Sequence, residues 1–293
     1  MERTDYSGAV GNLLEIGLPE NMVEPEKWPD YQKEYGISQT DIPDLIRLAT
    51  DKDLYLENTE KTYPENFFWG TIHAMRALGQ LKATQAIEPL LGVLKASQWD
   101  DDSTLETLPY VFGLLGPEAI PFLKHALKEW YTQEYEPTAS VTVEALEKIA
   151  TNYAEAREEV VDILLQRLQT PEKNDESLNG FLINSLAELK AEKALPAIEA
   201  AFKQDLVDTM ITRWHTVQHQ LGLITQEEYD QAEEEARAAQ RTRFVAERSS
   251  ADSNDYDPFR GKNVSPSANK QKEKAKAKRK MAKASQKKNR KRK

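Results

Sequence analysis

The sequence predicts an all-α protein, an α-solenoid in which helical hairpins stack on one another. Three observations support this prediction. Paired apolar segments recur along the chain, and apolar residues within each segment follow the spacing of an amphipathic helix. Signals for β-strands are almost absent, because the β-branched residues are scattered rather than alternating with polar ones.

Four pairs of segments make up the repeat. The first helix of each pair is predicted to end near Leu78, Leu115, Ile149 and Leu189, at spacings of 37, 34 and 40 residues. The second helices cover about residues 86–94, 119–127, 160–165 and 194–202. Such a period is typical of a helical hairpin, which buries its apolar faces only when neighbours stack against it.

Proline and glycine give these helices their expected ends. Pro89, Pro121 and Pro196 fall in the first turn of a second helix, where the missing N–H has no intrahelical partner. Gly79 and Gly116 follow a first helix, a position that favours a left-handed residue, so each is predicted to end its helix.

The repeat residues resemble a known family. Leu-Gly, a short turn, and then Ala-Ile-Glu-Pro-Leu-Leu (86–91) or Ala-Ile-Pro-Phe-Leu (119–123) is similar to the HEAT-like repeat of the phycobilisome-lyase type. The likeness covers about residues 66–202, and residues 41–46 resemble the second helix of an earlier unit. The resemblance implies a solenoid of HEAT-like hairpins. Proteins with such repeats include bilin lyases, phycobiliprotein chaperones, DNA glycosylases and scaffolds.

The remaining segments are predicted from composition. Residues 1–40 form an irregular N-terminal cap on the solenoid of residues 41–222, whose last helix runs unbroken from about Asp205 to Gly222. Thr225 and Glu228 form a capping box that opens a charged helix over residues 223–248. Residues 249–269 are a linker, and the Lys/Arg-rich tail of residues 270–293 is expected to be disordered.

Opposite charges are separated along the chain. Residues 260–293 contain 16 basic residues and one acidic residue, a net charge of +15, whereas the other 259 residues contain 23 basic and 48 acidic residues, a net charge of −25. A cationic segment of this kind binds polyanions by releasing counterions. Because residues 260–293 contain no aromatic residue, the prediction is contact with RNA or DNA phosphates without base recognition. The alternative is that the tail folds back on the acidic body. The predicted contacts are Lys270, Lys272, Lys274, Lys276, Lys278, Arg279, Lys280, Lys287, Lys288, Arg290, Lys291, Arg292 and Lys293.

Five aromatic or histidine residues are candidates for binding a protein partner. Trp69 and His73 share a helix face. The alternatives to partner binding are core packing of both side chains and acid–base chemistry at His73. Trp130, Tyr131 and Tyr135 follow the second repeat, where they either form a hot spot or hold two repeats together.

The sequence contains no arrangement that predicts catalysis, a metal or a cofactor. Absence of cysteine excludes a disulfide framework, a thiol nucleophile and thiolate zinc sites. His215 and His219 share a helix face but have no third ligand nearby. No run of 18 apolar residues and no secretory signal is present, so a cytoplasmic protein without membrane contact is expected.

The leading hypothesis is therefore a non-catalytic scaffold with a protein partner on the solenoid and a nucleic acid or ribonucleoprotein on the tail. A bilin lyase or phycobiliprotein chaperone is the alternative, on the resemblance alone. A DNA glycosylase is disfavoured because a body at −25 repels phosphates. The sequence leaves the oligomeric state open.

Overall fold

The computed structural model of the chain describes residues 6–19, 21, 24–55, 67–97, 102–129 and 137–251. Within these ranges the regular structure is helical throughout and contains no strand, which confirms the all-α prediction. The helices are α1 (Gly8–Asn12), α2 (Tyr31–Tyr35), α3 (Ile42–Ala49), α4 (Lys52–Tyr55), α5 (Phe67–Gln80), α6 (Ile87–Ala96), α7 (Asp102–Leu115), α8 (Ile120–Glu129), α9 (Pro137–Asn152), α10 (Arg157–Leu168), α11 (Glu176–Glu188), α12 (Leu195–Lys203), α13 (Trp214–Gln220) and α14 (Gln226–Ala251).

Helices α5 to α12 follow one another along the chain as four consecutive pairs. The first helices α5, α7, α9 and α11 lie side by side in chain order. Each of α6, α8 and α10 packs against the first helix of the following pair, and α12 packs against α10. The first helices are buried over most of their surface, because they have neighbours on several sides.

Each second helix begins in the same way. A 3-10 turn precedes it, and the last residue of that turn is an alanine no more than 4% exposed. A methyl group at this position fills little space, so the second helix can start close to the first. The four alanines are Ala86, Ala119, Ala156 and Ala194.

The proline and glycine predictions have different outcomes. Pro89, Pro121 and Pro196 lie in the first turns of α6, α8 and α12, as predicted. Gly116 directly follows α7 with φ +94° and ψ −162°, a conformation that favours glycine, so the prediction that this glycine ends the helix is confirmed, although the residue is not in the left-handed helical conformation.

The prediction that Gly79 ends its helix is wrong. Gly79 lies inside α5, and a Cβ there would come within 3.3 Å of Leu114 and 3.4 Å of Val111 on α7. The left-handed residue is Lys82, with φ 51°, and the next residue, Ala83, donates its N–H to the carbonyl of Leu78. Gly79 therefore lies at a close contact between α5 and α7 rather than in a turn.

The unbroken helix predicted over residues 205–222 is also wrong. Helix α12 ends at Lys203, Asp205 has φ 58°, and α13 starts only at Trp214. Asp208 accounts for the break, because its backbone N–H donates to the Glu176 carbonyl and its carboxylate accepts the Ser177 hydroxyl. These bonds hold the connection across the start of α11.

The two ends of the described chain pack on neighbouring helices. Helix α3 and the turn at residues 13–15 lie against α5, and α13 lies between α11 and α14. The predicted capping box is confirmed: the backbone N–H of Thr225 donates to the Glu228 carboxylate, and the N–H of Glu228 donates to the Thr225 hydroxyl. Over the described ranges, no helix is both long enough and apolar enough to span a membrane.

Candidate functional site

The predicted contact residues fall in different parts of the chain. Trp130, Tyr131 and Tyr135, like all predicted phosphate contacts between Lys270 and Lys293, lie outside the described residues. Trp69 and His73 lie on α5. Trp69 is half-buried and meets Phe68 edge-on, with ring centroids 4.9 Å apart.

His73 is 1% exposed and is hydrogen-bonded at both ring nitrogens. Its Nε2 lies 2.9 Å from the Gly17 carbonyl oxygen, and its Nδ1 lies 2.7 Å from the Tyr31 hydroxyl. Because a carbonyl only accepts, Nε2 carries the proton and Nδ1 accepts the hydroxyl proton of Tyr31. His73 therefore joins the N-terminal segment and α2 to α5.

Burial shifts the pKa values of this group. Desolvation lowers the pKa of His73 to about 4, with a further lowering from the positive charge of Arg76. Desolvation also raises the pKa of Tyr31 and lowers that of Arg76. The imidazole is consequently neutral at pH 7 and acts as a structural bridge.

The rest of the same α5 face binds the N-terminal segment as well. The Arg76 guanidinium donates to the Asn21 carbonyl at 2.6 Å and lies 4.5 Å from the centre of the Trp28 ring. Gln80 accepts the Tyr31 backbone N–H and donates to the Pro29 carbonyl. Helical spacing could have identified this face, but its partner segment has no pattern of its own in the sequence.

A row of polar and aromatic side chains crosses α7, α9 and α11. Lys148 Nζ lies 5.4 Å from the centre of the Tyr110 ring and 2.7 Å from the Glu147 carboxylate. The second oxygen of that carboxylate accepts the Ser185 hydroxyl at 2.8 Å. Tyr110 in turn meets Trp28 edge-on. Sequence reasoning missed this row because its members come from three separate helices.

A groove with an apolar floor separates the second helices α6 and α8. Its volume is about 500 Å³, and Leu91, Pro121 and Phe122 supply its apolar lining. Glu88, Lys95 and His125 lie at its edges, and Gly92 forms part of the α6 wall. Phe122 is 36% exposed, so the groove presents an aromatic ring to solvent.

The sequence matches one known protein family. A family described as Protein of unknown function (DUF1186) matches residues 20–248. The chain belongs to this family. No curated protein matches the sequence, and no solved structure matches it.

The DUF1186 match spans the helical pairs and reaches into α14, and it ends before the basic segment that begins at Arg260. It therefore includes the groove, the contact between α13 and α14, and the His73 group except for Gly17. The family description states no function, so any function of the chain is inferred from its residues.

The α13–α14 contact within the DUF1186 match is centred on Glu233. Its carboxylate accepts hydrogen bonds from Arg213 and His215, each at 2.9 Å, and from Arg237 at 3.1 Å. Burial alone would raise the pKa of Glu233, but the His215 hydrogen bond and the two arginines outweigh burial and lower it. Tyr229 of α14 adds a second contact with α13, since its ring stacks on His219 with ring centroids 4.7 Å apart.

His215 and His219 therefore both connect α13 to α14, through Glu233 and Tyr229 respectively. Within the described ranges, no group of three or more His, Asp or Glu side chains is placed to hold a metal ion. Glu233 was missed in the sequence because nothing in the polar face of α14 distinguishes it from the neighbouring glutamates.

Proposed function

We propose that the protein is a non-catalytic binding protein with two binding regions. Its helical body is a HEAT-like α-solenoid that contacts a protein partner. Its Lys/Arg-rich tail, residues 270–293, contacts the phosphates of RNA or DNA without sequence preference.

The observation that carries this proposal is the separation of charge. A body of net charge −25 repels phosphates, whereas the segment from Arg260 to Lys293 carries +15 and contains no aromatic side chain. Counterion release from a polyanion favours binding of such a segment. Because the segment has no aromatic side chain to stack on the bases, we expect no recognition of base sequence.

Two features of the body support the solenoid. The four helical pairs repeat one local design, a 3-10 turn ending in a buried alanine before each second helix. In addition, each pair packs mainly on its neighbours in chain order, as expected of a repeat array.

Acidic side chains at the surface of the second helices support the charge argument. Glu158 and Asp162 on α10 share one cation, Lys193, at the start of the next pair. Glu155 and Glu159 nearby are exposed. A nucleic acid approaching this side of the body meets uncompensated negative charge.

The test compares two forms of the protein for binding to single-stranded RNA and duplex DNA. One form is the full chain, and the other ends before Arg260. Fluorescence anisotropy at low salt is expected to show that truncation weakens binding at least about a hundredfold, because most phosphate contacts are lost.

A matched control separates the tail from positive charge in general. Changing Lys287, Lys288 and Lys291 to Gln is expected to weaken RNA binding, whereas changing Lys173, Lys193 and Lys203 of the body to Gln is not. Equal affinity of the full and truncated chains would overturn the role of the tail.

A further inference from the structure

Helix α14 contacts α13 through side chains near its own beginning. The Tyr229 ring stacks on His219. One turn later, the Glu233 carboxylate accepts hydrogen bonds from His215 and Arg213. Because later residues of α14 meet earlier residues of α13, the two helices run antiparallel. Arg213 directly precedes α13, so α14 has reached the start of its partner helix at Glu233.

Most of α14 lies beyond this contact. The residues after Glu233, up to Ala251, are called the arm here, and they extend for roughly 27 Å at about 1.5 Å per residue. Arg237 and Ala239 in the arm are exposed, and α14 packs mainly on α13. The basic segment that begins at Arg260 follows the arm in the sequence. The arm therefore carries the chain past the α13 contact before that segment begins.

Glu233 differs from the exposed Glu234 beside it. Its side chain is 17% exposed and accepts hydrogen bonds from two arginines and a histidine. Ala232 and Ala236, which are half-buried around it, have small side chains. Removing the charge of Glu233 would leave the Arg213 guanidinium, itself 20% exposed, without this carboxylate. The attachment of the arm therefore depends strongly on one carboxylate.

The direction of the arm matters because the basic segment and the rest of the chain attract each other. Residues 260–293 carry +15, and the other residues carry −25. In solution this attraction falls off over a Debye length, about 10 Å at 0.1 M salt. The arm is longer than that distance, so a fixed arm starts the basic segment outside the strongest attraction. A released arm lets the segment reach body carboxylates, which compete with phosphates for the same cations.

We propose that Glu233 is a positioning residue, which fixes the arm on α13 and so keeps the tail of residues 270–293 away from the acidic body. With the arm fixed, the tail is presented to RNA or DNA. With the arm released, the tail binds body carboxylates part of the time, and nucleic acid has to displace them. This inference rests on the proposed function, because it concerns how the same tail reaches nucleic acid.

The first test measures the distance between the tail and the body in the full-length protein. Because the chain contains no cysteine, Gln166→Cys on the exposed surface of α10 and Ser285→Cys in the tail place two spin labels. Double electron–electron resonance at low salt is expected to show shorter distances in Glu233→Gln and in Arg213→Gln than in the wild type. Glu234→Gln, which makes the same charge change at an exposed position, should keep the wild-type distances.

Salt separates attraction of the tail from a change in structure. At about 1 M salt the Debye length is about 3 Å, so the tail should leave the body. The distances in Glu233→Gln are then expected to lengthen to those of the wild type at the same salt concentration. Short distances that persist at high salt would show a permanent contact and overturn the proposal.

The second test measures the affinity for single-stranded RNA. Glu233→Gln makes the chain less acidic and Arg213→Gln makes it more acidic, yet both break the same contact. Both are expected to weaken RNA binding about threefold at low salt, whereas a direct effect of charge would act in opposite directions. Ala239→Pro leaves Glu233 in place but breaks the arm, and should weaken binding similarly.

The outcomes separate this inference from the proposed function. Wild-type distances in Glu233→Gln and Arg213→Gln, or opposite changes in their RNA affinity, overturn the positioning role of Glu233. Ala239→Pro provides the same test of the arm if neither of those variants folds. If truncation before Arg260 leaves RNA affinity unchanged, the proposed function fails, and the distance measurement still decides whether Glu233 keeps the tail from the body.

Discussion

His73 is the residue on which the attachment of the N-terminal segment depends most. Its Nε2 donates to the Gly17 carbonyl, and its Nδ1 accepts the proton of the Tyr31 hydroxyl. The positive charge of Arg76 disfavours a positive charge on the imidazole. A protonated imidazole has no acceptor for the Tyr31 proton. Lowering the pH should therefore weaken the attachment of the N-terminal segment to α5.

The pH dependence of stability follows from this burial. Between pH 6.5, the ordinary His value, and about 4, its pKa in the folded protein, the unfolded chain binds the proton more readily. The free energy of unfolding should fall by about 3 kcal/mol through this window as the pH decreases, in proportion to the pKa difference. Urea unfolding of the wild type and of His73→Gln at pH 7 and pH 4 measures this fall in the free energy of unfolding.

The comparison concerns the change between the two pH values, because His73→Gln is also expected to alter stability at pH 7. His125→Gln removes an exposed histidine and should retain the wild-type pH dependence. If His73→Gln loses as much stability on acidification as the wild type does, His73 is not responsible.

At the level of the elements, helix ends decide how each pair turns. The first helices α5 and α11 end in the same hydrogen-bonding motif with a left-handed lysine, Lys82 or Lys190, each with φ 51°. In both, the next residue donates its N–H to a carbonyl five residues earlier. Helix α7 instead ends at Gly116, with φ +94°.

Gly116→Ala should destabilise the protein. An alanine at φ +94° is strained, and its Cβ would lie 3.0 Å from the Tyr153 ring. The expected loss in the free energy of unfolding is about 1–3 kcal/mol. Chemical denaturation of the variant and the wild type at pH 7 measures this loss.

Gly92→Ala is the matched control for that substitution. It places the same methyl group in a helix interior with open space around it, and should raise the free energy of unfolding by about 1 kcal/mol. Similar effects of the two substitutions would contradict the roles assigned to the two glycines.

For the whole molecule, local patterns predicted the helices well. The Pro signals placed α6, α8 and α12, because they act within one turn of the chain, whereas α10 has no proline and was placed from its apolar residues alone. Gly79 and the connection after Lys203 were mispredicted because both depend on contacts with another helix, α7 in one case and the start of α11 in the other.

The candidate sites were harder to predict from the sequence, for the same reason. Trp69 and His73 were identified as an aromatic pair, but the Tyr31 and Gly17 partners of His73 come from 42 and 56 residues away. Likewise, the α6–α8 groove depends on Gly92 and Phe122, which lie in different helical pairs. Helical spacing relates residues of one helix and says nothing of such neighbours.

Charge separation is a property of the whole chain, and it leads to the central claim that the basic tail contacts phosphates. The most direct measurement is the slope of the logarithm of RNA affinity against the logarithm of salt concentration. For the full chain on single-stranded RNA, the expected slope is about −4 or steeper, which corresponds to roughly six or more phosphates neutralised. A slope near zero, or the same slope after truncation before Arg260, would contradict the claim.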